Sequence, residues 1–190
     1  MRPICLALLA ALALPAGAQA FASVDPFAPV DPETRPLVEE APVASTAIPR
    51  EVVAFSGYAP GTIVVSTRER RLYYVLGDGT AMRYGVGVGR PGFTWGGTQR
   101  VTRKAEWPSW TPPAEMLRRR PDLPRHMAGG IDNPLGARAM YLGSSLYRIH
   151  GSNEPDTIGQ AVSSGCIRMT NDDVADLYER VKVGTRVVVI

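Results

Sequence analysis

The sequence predicts a mainly β domain, of the β-rich α+β class, from three observations. The β-branched run at 62–67 is typical of a buried strand. Apolar segments at 72–76 and 81–88 flank a Gly-Asp-Gly turn at 77–79, which predicts a hairpin. One segment, which follows Thr170, has the apolar spacing of a helix. Because strands outnumber helices, we expect a sheet to carry the core.

The remaining strands are interrupted by one long irregular stretch. Residues 90–136 are rich in glycine, proline and tryptophan, and the stretch is far longer than an ordinary connection. Long loops in compact domains are commonly functional, so we expect a lid or a wall of a substrate cleft; a merely structural excursion is the alternative. The further strands are predicted at 100–106, 139–142, 146–150 and 185–190.

The helix is predicted from its cap and its buried face. Thr170 can cap the first turn together with Asp173, three residues later. The acids at 172 and 173 suit the positive end of a helix, and Gly184 is expected to end it. The apolar face consists of Val174, Leu177, Tyr178 and Val181.

The chain divides into a leader, a tether and one domain. Residues 1–20 combine an early arginine, a short apolar stretch and small residues before the expected cleavage point, so we expect a signal peptide and export to the periplasm. Residues 21–55 are assigned to a disordered tether because prolines and acids are frequent there and large apolar residues are few. Residues 56–190 have the size of a single domain. We expect no integral membrane segment in the mature form, because no second apolar stretch approaches the required length.

Charge and ligand-forming residues narrow the classes of function. The formal net charge of +3 is too small a bias to predict nucleic-acid binding. Basic clusters at 100–104 and 118–120 would suit an anionic polymer, although a solvated face is the commoner explanation. Two histidines and the one cysteine outside the predicted signal peptide are too few and too scattered to suggest a metal site, and no cofactor is expected.

Cys166 is the candidate nucleophile. The other cysteine, Cys5, lies in the predicted signal peptide, so the exported protein would keep one unpaired thiol. A free thiol is a liability in an oxidising compartment unless it is used, although a lone cysteine can also be an inert core residue. An ordinary thiol is mostly protonated near neutral pH, so an efficient nucleophile needs a base or a positive environment.

His150 is the candidate base, because it ends a predicted strand 16 residues before the thiol. His126 lies in the long irregular stretch and is expected at the surface. Gly165 permits close approach of the backbone, so that its amide and that of Cys166 would face a developing oxyanion. Arg168 would either recognise a substrate carboxylate or pair with a structural acid.

Several short motifs follow one another in a fixed order. They are His150-Gly151-Ser152, Ile158-Gly159 and the run 163–169, preceded by 87–95, 102–108 and 133–136. Together they resemble the catalytic domain of periplasmic, YkuD-like L,D-transpeptidases over residues 57–190. The resemblance implies an L,D-transpeptidase-like β-sandwich with one short helix after the cysteine and a long lid-like loop.

The resemblance also implies a role for each matching residue. Cys166 is then the nucleophile and His150 the base. The resemblance implies that Gly165, Gly151 and Ser152 support the oxyanion and the backbone of the site. It implies that Arg168, Ser164 and Trp107 bind the substrate. Many members of the family have histidine where this chain has Ser164, so no role of that histidine can be transferred.

The implied substrates are the peptide stems of peptidoglycan. The thiolate would attack the carbonyl of meso-diaminopimelate, release D-alanine and leave a thioester, which an amine resolves as a 3-3 cross-link or as attachment of a lysine-bearing envelope protein. A carbapenem should acylate the same thiol. Three alternatives stay open: an L,D-carboxypeptidase, an endopeptidase that uses water, and an inactive wall-binding protein on the same fold. A papain-like protease is not favoured, because in that family the cysteine precedes the histidine, the reverse of the order in this chain.

Overall fold

The computed structural model describes residues 48–190, and β-strands form most of the regular structure. The predicted signal peptide, Cys5 and most of the predicted tether lie outside the described residues. The strands are β1 Glu51–Ala54, β2 Ile63–Ser66, β3 Arg71–Gly77, β4 Thr80–Gly85, β5 Val88–Gly89, β6 Gly97–Glu106, β7 Arg138–Leu142, β8 Arg148–His150, β9 Ala161–Ser163, β10 Ile167–Arg168 and β11 Arg186–Val189. The helices are α1 Ala114–Arg119 and α2 Asn171–Arg180, with a 3₁₀ turn at Pro155–Thr157.

Nine strands form one continuous sheet in the order β1-β4-β3-β2-β11-β6-β7-β8-β10, and β5 pairs separately with β9. This sheet has two parts, β1-β4-β3-β2-β11 and β7-β8-β10. Strand β6 joins these two halves, because its residues 97–100 pair with β11 and its residues 101–106 pair with β7. The register shifts between Val101 and Arg103, where the strand passes from one half to the other. The predicted mainly β class is confirmed.

One buried cluster draws side chains from both halves of the sheet and from α2. Tyr84 is fully buried, and its hydroxyl donates to the Asp176 carboxylate at 2.6 Å, which ties β4 to the helix. A smaller cluster covers the opposite face of β2, β3 and β4. The part of the sheet formed by β2, β3 and β4 is therefore buried on both faces. The main cluster includes Ile63, Leu72, Val101, Met140, Ile149, Ile167, Val174 and Leu177.

The predicted hairpin is β3–β4, and its turn has the backbone that the sequence requires. Gly77, Asp78 and Gly79 all have positive φ, at 113°, 49° and 77°. Such angles are accessible to glycine and tolerated by aspartate, and they match the twist of the two strands. The hairpin prediction is confirmed.

The start of α2 agrees with the sequence, but its end does not. The Asp173 amide donates to Thr170 Oγ1 at 3.1 Å, as predicted. The helix ends at Arg180 rather than at Gly184, which lies in the following turn with φ of 95°. The ammonium of Lys104 donates to the carbonyls of Tyr178 and Val181, both at 2.6 Å, so the last carbonyls need no glycine cap.

Other elements lie where the sequence predicted none. Strand β1 falls inside the segment 21–55 that was assigned to the tether, so the folded part begins before residue 56. Three of its four residues are exposed, and backbone pairing with β4 holds it, which leaves no apolar pattern to detect. Helix α1 lies inside the irregular stretch and buries no residue, so no apolar face marked it in the sequence; it is a helix in addition to the predicted one after Cys166.

Candidate active site

The candidate thiol and imidazole are brought together by the parallel pair β8–β10. Ile149 lies opposite Ile167 and His150 lies opposite Arg168. The two isoleucines are buried in the core. Because side chains alternate along a strand, His150 and Arg168 face the other side, and so does Cys166, two residues before Arg168. The strand pairing therefore places the Cys166 thiol and the His150 imidazole on one face.

That face forms the floor of a cavity of about 880 Å³. The segment between β6 and β7 supplies one wall, with Trp110, Met116 and Met127 among its lining residues. The turn between β7 and β8 supplies another, with Leu146 and Tyr147. The expectation that the stretch 90–136 contributes a cleft wall agrees with this arrangement.

His150 is held as a neutral imidazole. It is 4% exposed, and its Nδ1 lies 2.6 Å from the carbonyl oxygen of Gly151. Since a carbonyl only accepts, Nδ1 carries the proton and Nε2 keeps a free lone pair. The pKa of His150 is lowered from its ordinary value of 6.5 to about 3, chiefly by burial; the bond to Gly151 opposes this shift, and the positive charges of Arg168 and Arg148 add to it. The ring is therefore unprotonated at Nε2 near neutral pH, and that lone pair is free.

Cys166 carries a free, half-buried thiol. Its Sγ lies 3.8 Å from the carbonyl oxygen of Leu146, close enough for a weak S–H donor bond. A bond of this kind aims the sulfur at the cavity wall without burying it. The thiol therefore remains open to a molecule in the cavity.

The loop before the thiol is closed by Ser163. Its Oγ accepts from the Gly165 amide at 3.1 Å, and its hydroxyl donates to the Cys166 carbonyl at 2.6 Å. The Gly165 amide, one of the two expected oxyanion donors, is therefore already engaged. Among residues 48–190, the Cys166 amide donates to no other group. Gly165 has φ of 106°, a conformation that glycine adopts without strain.

Gly151 and Ser152 directly follow His150 in the chain and do not line the cavity. The carbonyl of Gly151 holds the His150 ring, and a Cβ at this position would collide with the side-chain oxygen of Asn171. Ser152 is buried, and its Oγ accepts from the Glu154 amide at 2.9 Å. Their contribution is to shape the turn that follows β8.

Arg168 and Ser164 line the cavity, and each already has a partner. The Arg168 guanidinium pairs with the Glu154 carboxylate at 2.9 Å, which favours the structural alternative for this arginine. Ser164 accepts from the Arg90 guanidinium at 3.2 Å. Arg90 in turn lies over the ring of Phe93, 4.1 Å from its centre.

The other two predicted positions lie away from the thiol. Trp107 is 45% exposed and is not part of the cavity lining, where Trp110 is found instead. His126 is exposed, as expected, and its Nδ1 lies 3.1 Å from Thr111 Oγ1. Sequence reasoning missed Arg90 and Arg148 in the lining, since no local pattern marks an arginine as facing a cavity.

In the part of the chain that the structure describes, no group of three or more histidine, cysteine or acidic side chains is arranged to hold a metal ion. No helix there has the length and apolar character needed to cross a membrane.

The sequence model of the YkuD family, described as the L,D-transpeptidase catalytic domain, matches residues 60–189. The chain belongs to this family. It is 41% identical over 152 residues to "Probable L,D-transpeptidase ErfK/SrfK" of Escherichia coli, a match that covers 75% of this chain and 48% of that protein. It is 38% identical over 148 residues to "Probable L,D-transpeptidase YbiS" of the same species, covering 74% of this chain and 47% of that protein. The chain thus spans about half the length of these curated relatives.

Solved structures share the fold. An L,D-transpeptidase from Mycobacterium smegmatis superposes with a TM-score of 0.55 at 19% identity, covering 68% of this chain and 58% of that one. A Brucella melitensis structure described as a probable carnitine operon oxidoreductase CaiA has a TM-score of 0.52 at 46% identity, covering 75% of this chain and 94% of that one. The first shows the L,D-transpeptidase fold alone, and the oxidoreductase name belongs to the second protein.

Proposed function

We propose that this protein is a periplasmic peptidoglycan L,D-transpeptidase. The observation that carries the proposal is that the free thiol of Cys166 and the neutral, Nδ1-protonated ring of His150 lie on one face of the β8–β10 pair, at the floor of the large cavity. Membership of the YkuD family and the two relatives from Escherichia coli support this activity over the oxidoreductase name of the Brucella protein.

In the first half-reaction, Nε2 of His150 takes the thiol proton as Sγ attacks the carbonyl of meso-diaminopimelate in a tetrapeptide stem. The negative charge on sulfur favours the imidazolium as the proton moves, which offsets the effect of burial. The tetrahedral intermediate then collapses. Its C–N bond to D-alanine breaks, the imidazolium returns the proton to the departing amine, and a thioester remains on Cys166.

In the second half-reaction, an amine attacks the thioester carbonyl and His150 accepts its proton. The C–S bond breaks, and the proton passes to the departing thiolate. With a diaminopimelate side chain as acceptor the product is a 3-3 cross-link. With the side chain of a lysine it is an envelope protein attached to the wall.

The charges around the cavity support an anionic peptide as substrate. Within residues 48–190, the guanidinium groups of Arg90, Arg119 and Arg148 line the cavity without a carboxylate partner. Peptide stems of the wall carry several carboxylates, and a guanidinium binds a carboxylate through paired hydrogen bonds. Arg168 is less suited to this role, because its guanidinium already pairs with the Glu154 carboxylate.

The experiment is mass spectrometry of purified tetrapeptide muropeptides after incubation with the protein, with and without an added amine acceptor. We expect release of D-alanine together with a new cross-linked or amine-linked product. Cys166→Ala should abolish both, and circular dichroism should show that it still folds. Turnover by Cys166→Ala, or products formed with water alone, would contradict the proposal; the second result would indicate a carboxypeptidase.

A further inference from the structure

Trp95 bonds directly to the loop that carries the nucleophile, although it is 70 residues away in the chain. Its indole Nε1 donates to the carbonyl oxygen of Gly165 at 2.7 Å. We propose that Trp95 is a positioning residue that orients the Gly165–Cys166 peptide, so that the Cys166 N–H can stabilise the oxyanion of acyl transfer. The inference rests on acyl transfer at Cys166, as proposed above, and on no particular acyl acceptor.

The planarity of the peptide bond links the indole to the nucleophile. The Gly165 carbonyl and the Cys166 N–H belong to one peptide group, and the described residues contain no cis peptide. In a trans peptide the oxygen and the hydrogen point in opposite directions, so fixing the oxygen also fixes the direction of the N–H. Glycine before this peptide gives the backbone more rotational freedom than another residue would. The indole bond removes that freedom at the peptide next to the thiol.

The neighbouring amides leave the Cys166 N–H as the donor for this role. The Gly165 N–H is bonded to Ser163 Oγ, whereas the Cys166 N–H has no partner among the described residues. A hydrogen bond to the oxygen of a peptide also polarises the peptide group, which makes its N–H a stronger hydrogen-bond donor. Trp95 therefore acts on the oxyanion donor without touching the substrate.

Tyr147 holds the indole in place. The two rings are stacked, with centres 4.5 Å apart and an interplanar angle of 2°. The same tyrosine ring fills the space beside Gly165, because a Cβ there would lie 2.5 Å from its Cε1. The stack thus both bonds to the Gly165 carbonyl and packs beside Gly165, which restricts rotation of the loop at this residue.

The test compares two reactions of the same thiol. Acylation by p-nitrophenyl acetate passes through an oxyanion, whereas alkylation by iodoacetamide displaces iodide at a saturated carbon and forms none. Trp95→Phe keeps an aromatic ring and removes the N–H. We expect it to slow acylation about tenfold, because loosening an oxyanion donor costs less than the hundredfold or more of deleting one. The rate of alkylation against pH should stay the same.

Trp107→Phe is the matched control, because that side chain is exposed and lies outside the cavity; it should change neither rate. Equal slowing of both reactions by Trp95→Phe, or unchanged acylation, would overturn the inference. If Trp95→Phe does not fold, 3-benzothienylalanine at position 95, which keeps the bicyclic ring and lacks the N–H, decides by the same comparison. Acylation by the ester without turnover of muropeptides would count against the proposed function and leave this inference standing.

Discussion

At the scale of single residues, the burial of His150 sets the protonation state of the candidate base. The ring donates from Nδ1 to Gly151, so the nitrogen left for catalysis is Nε2. Its lowered pKa keeps that nitrogen unprotonated through the whole neutral range. The lone pair of Nε2 is thus free near neutral pH, and the chain has serine, not a second histidine, at position 164.

Replacing His150 by alanine should slow acylation of Cys166 by a factor on the order of 10² to 10⁴, the usual contribution of a positioned general base. His126→Ala is the control, because that ring is exposed and bonds only to Thr111 among the described residues. The measurement is the single-turnover rate of thioester formation. A greater loss of rate in His126→Ala than in His150→Ala would show that His126, and not His150, is the base.

The lowered pKa of His150 also predicts how stability depends on pH. Between pH 6.5 and about pH 3 the unfolded chain holds a proton on this histidine that the folded protein does not, so stability falls as the pH falls. Above pH 6.5 the effect vanishes. From pH 7 to pH 5, wild type should lose about 2 kcal/mol more than His150→Gln, which cannot titrate. Urea unfolding at both pH values tests this, and parallel losses in the two proteins would refute it.

At the scale of elements, the turn after β8 is fixed by close packing against the start of α2. The side-chain oxygen of Asn171 accepts from the Ala137 amide at 2.9 Å and lies directly beside Gly151. The segment before β7, the end of β8 and the first residue of α2 therefore meet at one point. That contact holds the carbonyl that orients the His150 ring.

Gly151→Ala should destabilise the domain by about 1–3 kcal/mol, the usual cost of overpacking. The added methyl group would collide with Asn171 and approach the Ala137 amide at 3.0 Å. Gly130→Ala is the matched control, because a Cβ there meets nothing within 4 Å and its φ is not positive. We expect the control to stay within about 0.5 kcal/mol of wild type in urea unfolding. Equal stability of the two variants would show that the turn accommodates the added methyl group without loss of stability.

At the scale of the whole molecule, the cavity leaves the thiol accessible to a drug-sized molecule. A strained β-lactam carbonyl offers the thiolate an acyl group, as the proposed stem peptide would. Incubation with excess carbapenem near neutral pH should add the mass of the drug to wild type and nothing to Cys166→Ala. Intact-mass spectrometry makes this comparison. An unmodified wild type would show that the cavity does not admit such a ligand to Cys166.

Features that depend on neighbours along the chain were predictable from the sequence. The β3–β4 hairpin follows from two apolar segments around a Gly-Asp-Gly turn, and the start of α2 follows from Thr170 and Asp173. The prediction that Cys166 and His150 act together rests on motif spacing and on the resemblance to the YkuD family, whose sequence model matches the chain. The turn and cap signals act within a few residues, and the motifs keep a fixed order along the chain, so both survive in the sequence read alone.

Features that depend on distant contacts were decided by the tertiary structure. The neutral state of His150 requires burial from several elements, and the bond from Trp95 to Gly165 spans 70 residues. Strand β1 is exposed and held by backbone pairing with β4, so its side chains carry no pattern. At the end of helix α2, distant side chains satisfy carbonyls without a glycine cap: Lys104 of β6 donates to Tyr178 and Val181, and Tyr74 of β3 donates to Arg180. A hydrogen bond between residues far apart in the chain, or a charge removed from water, leaves no periodic trace in the residues that take part.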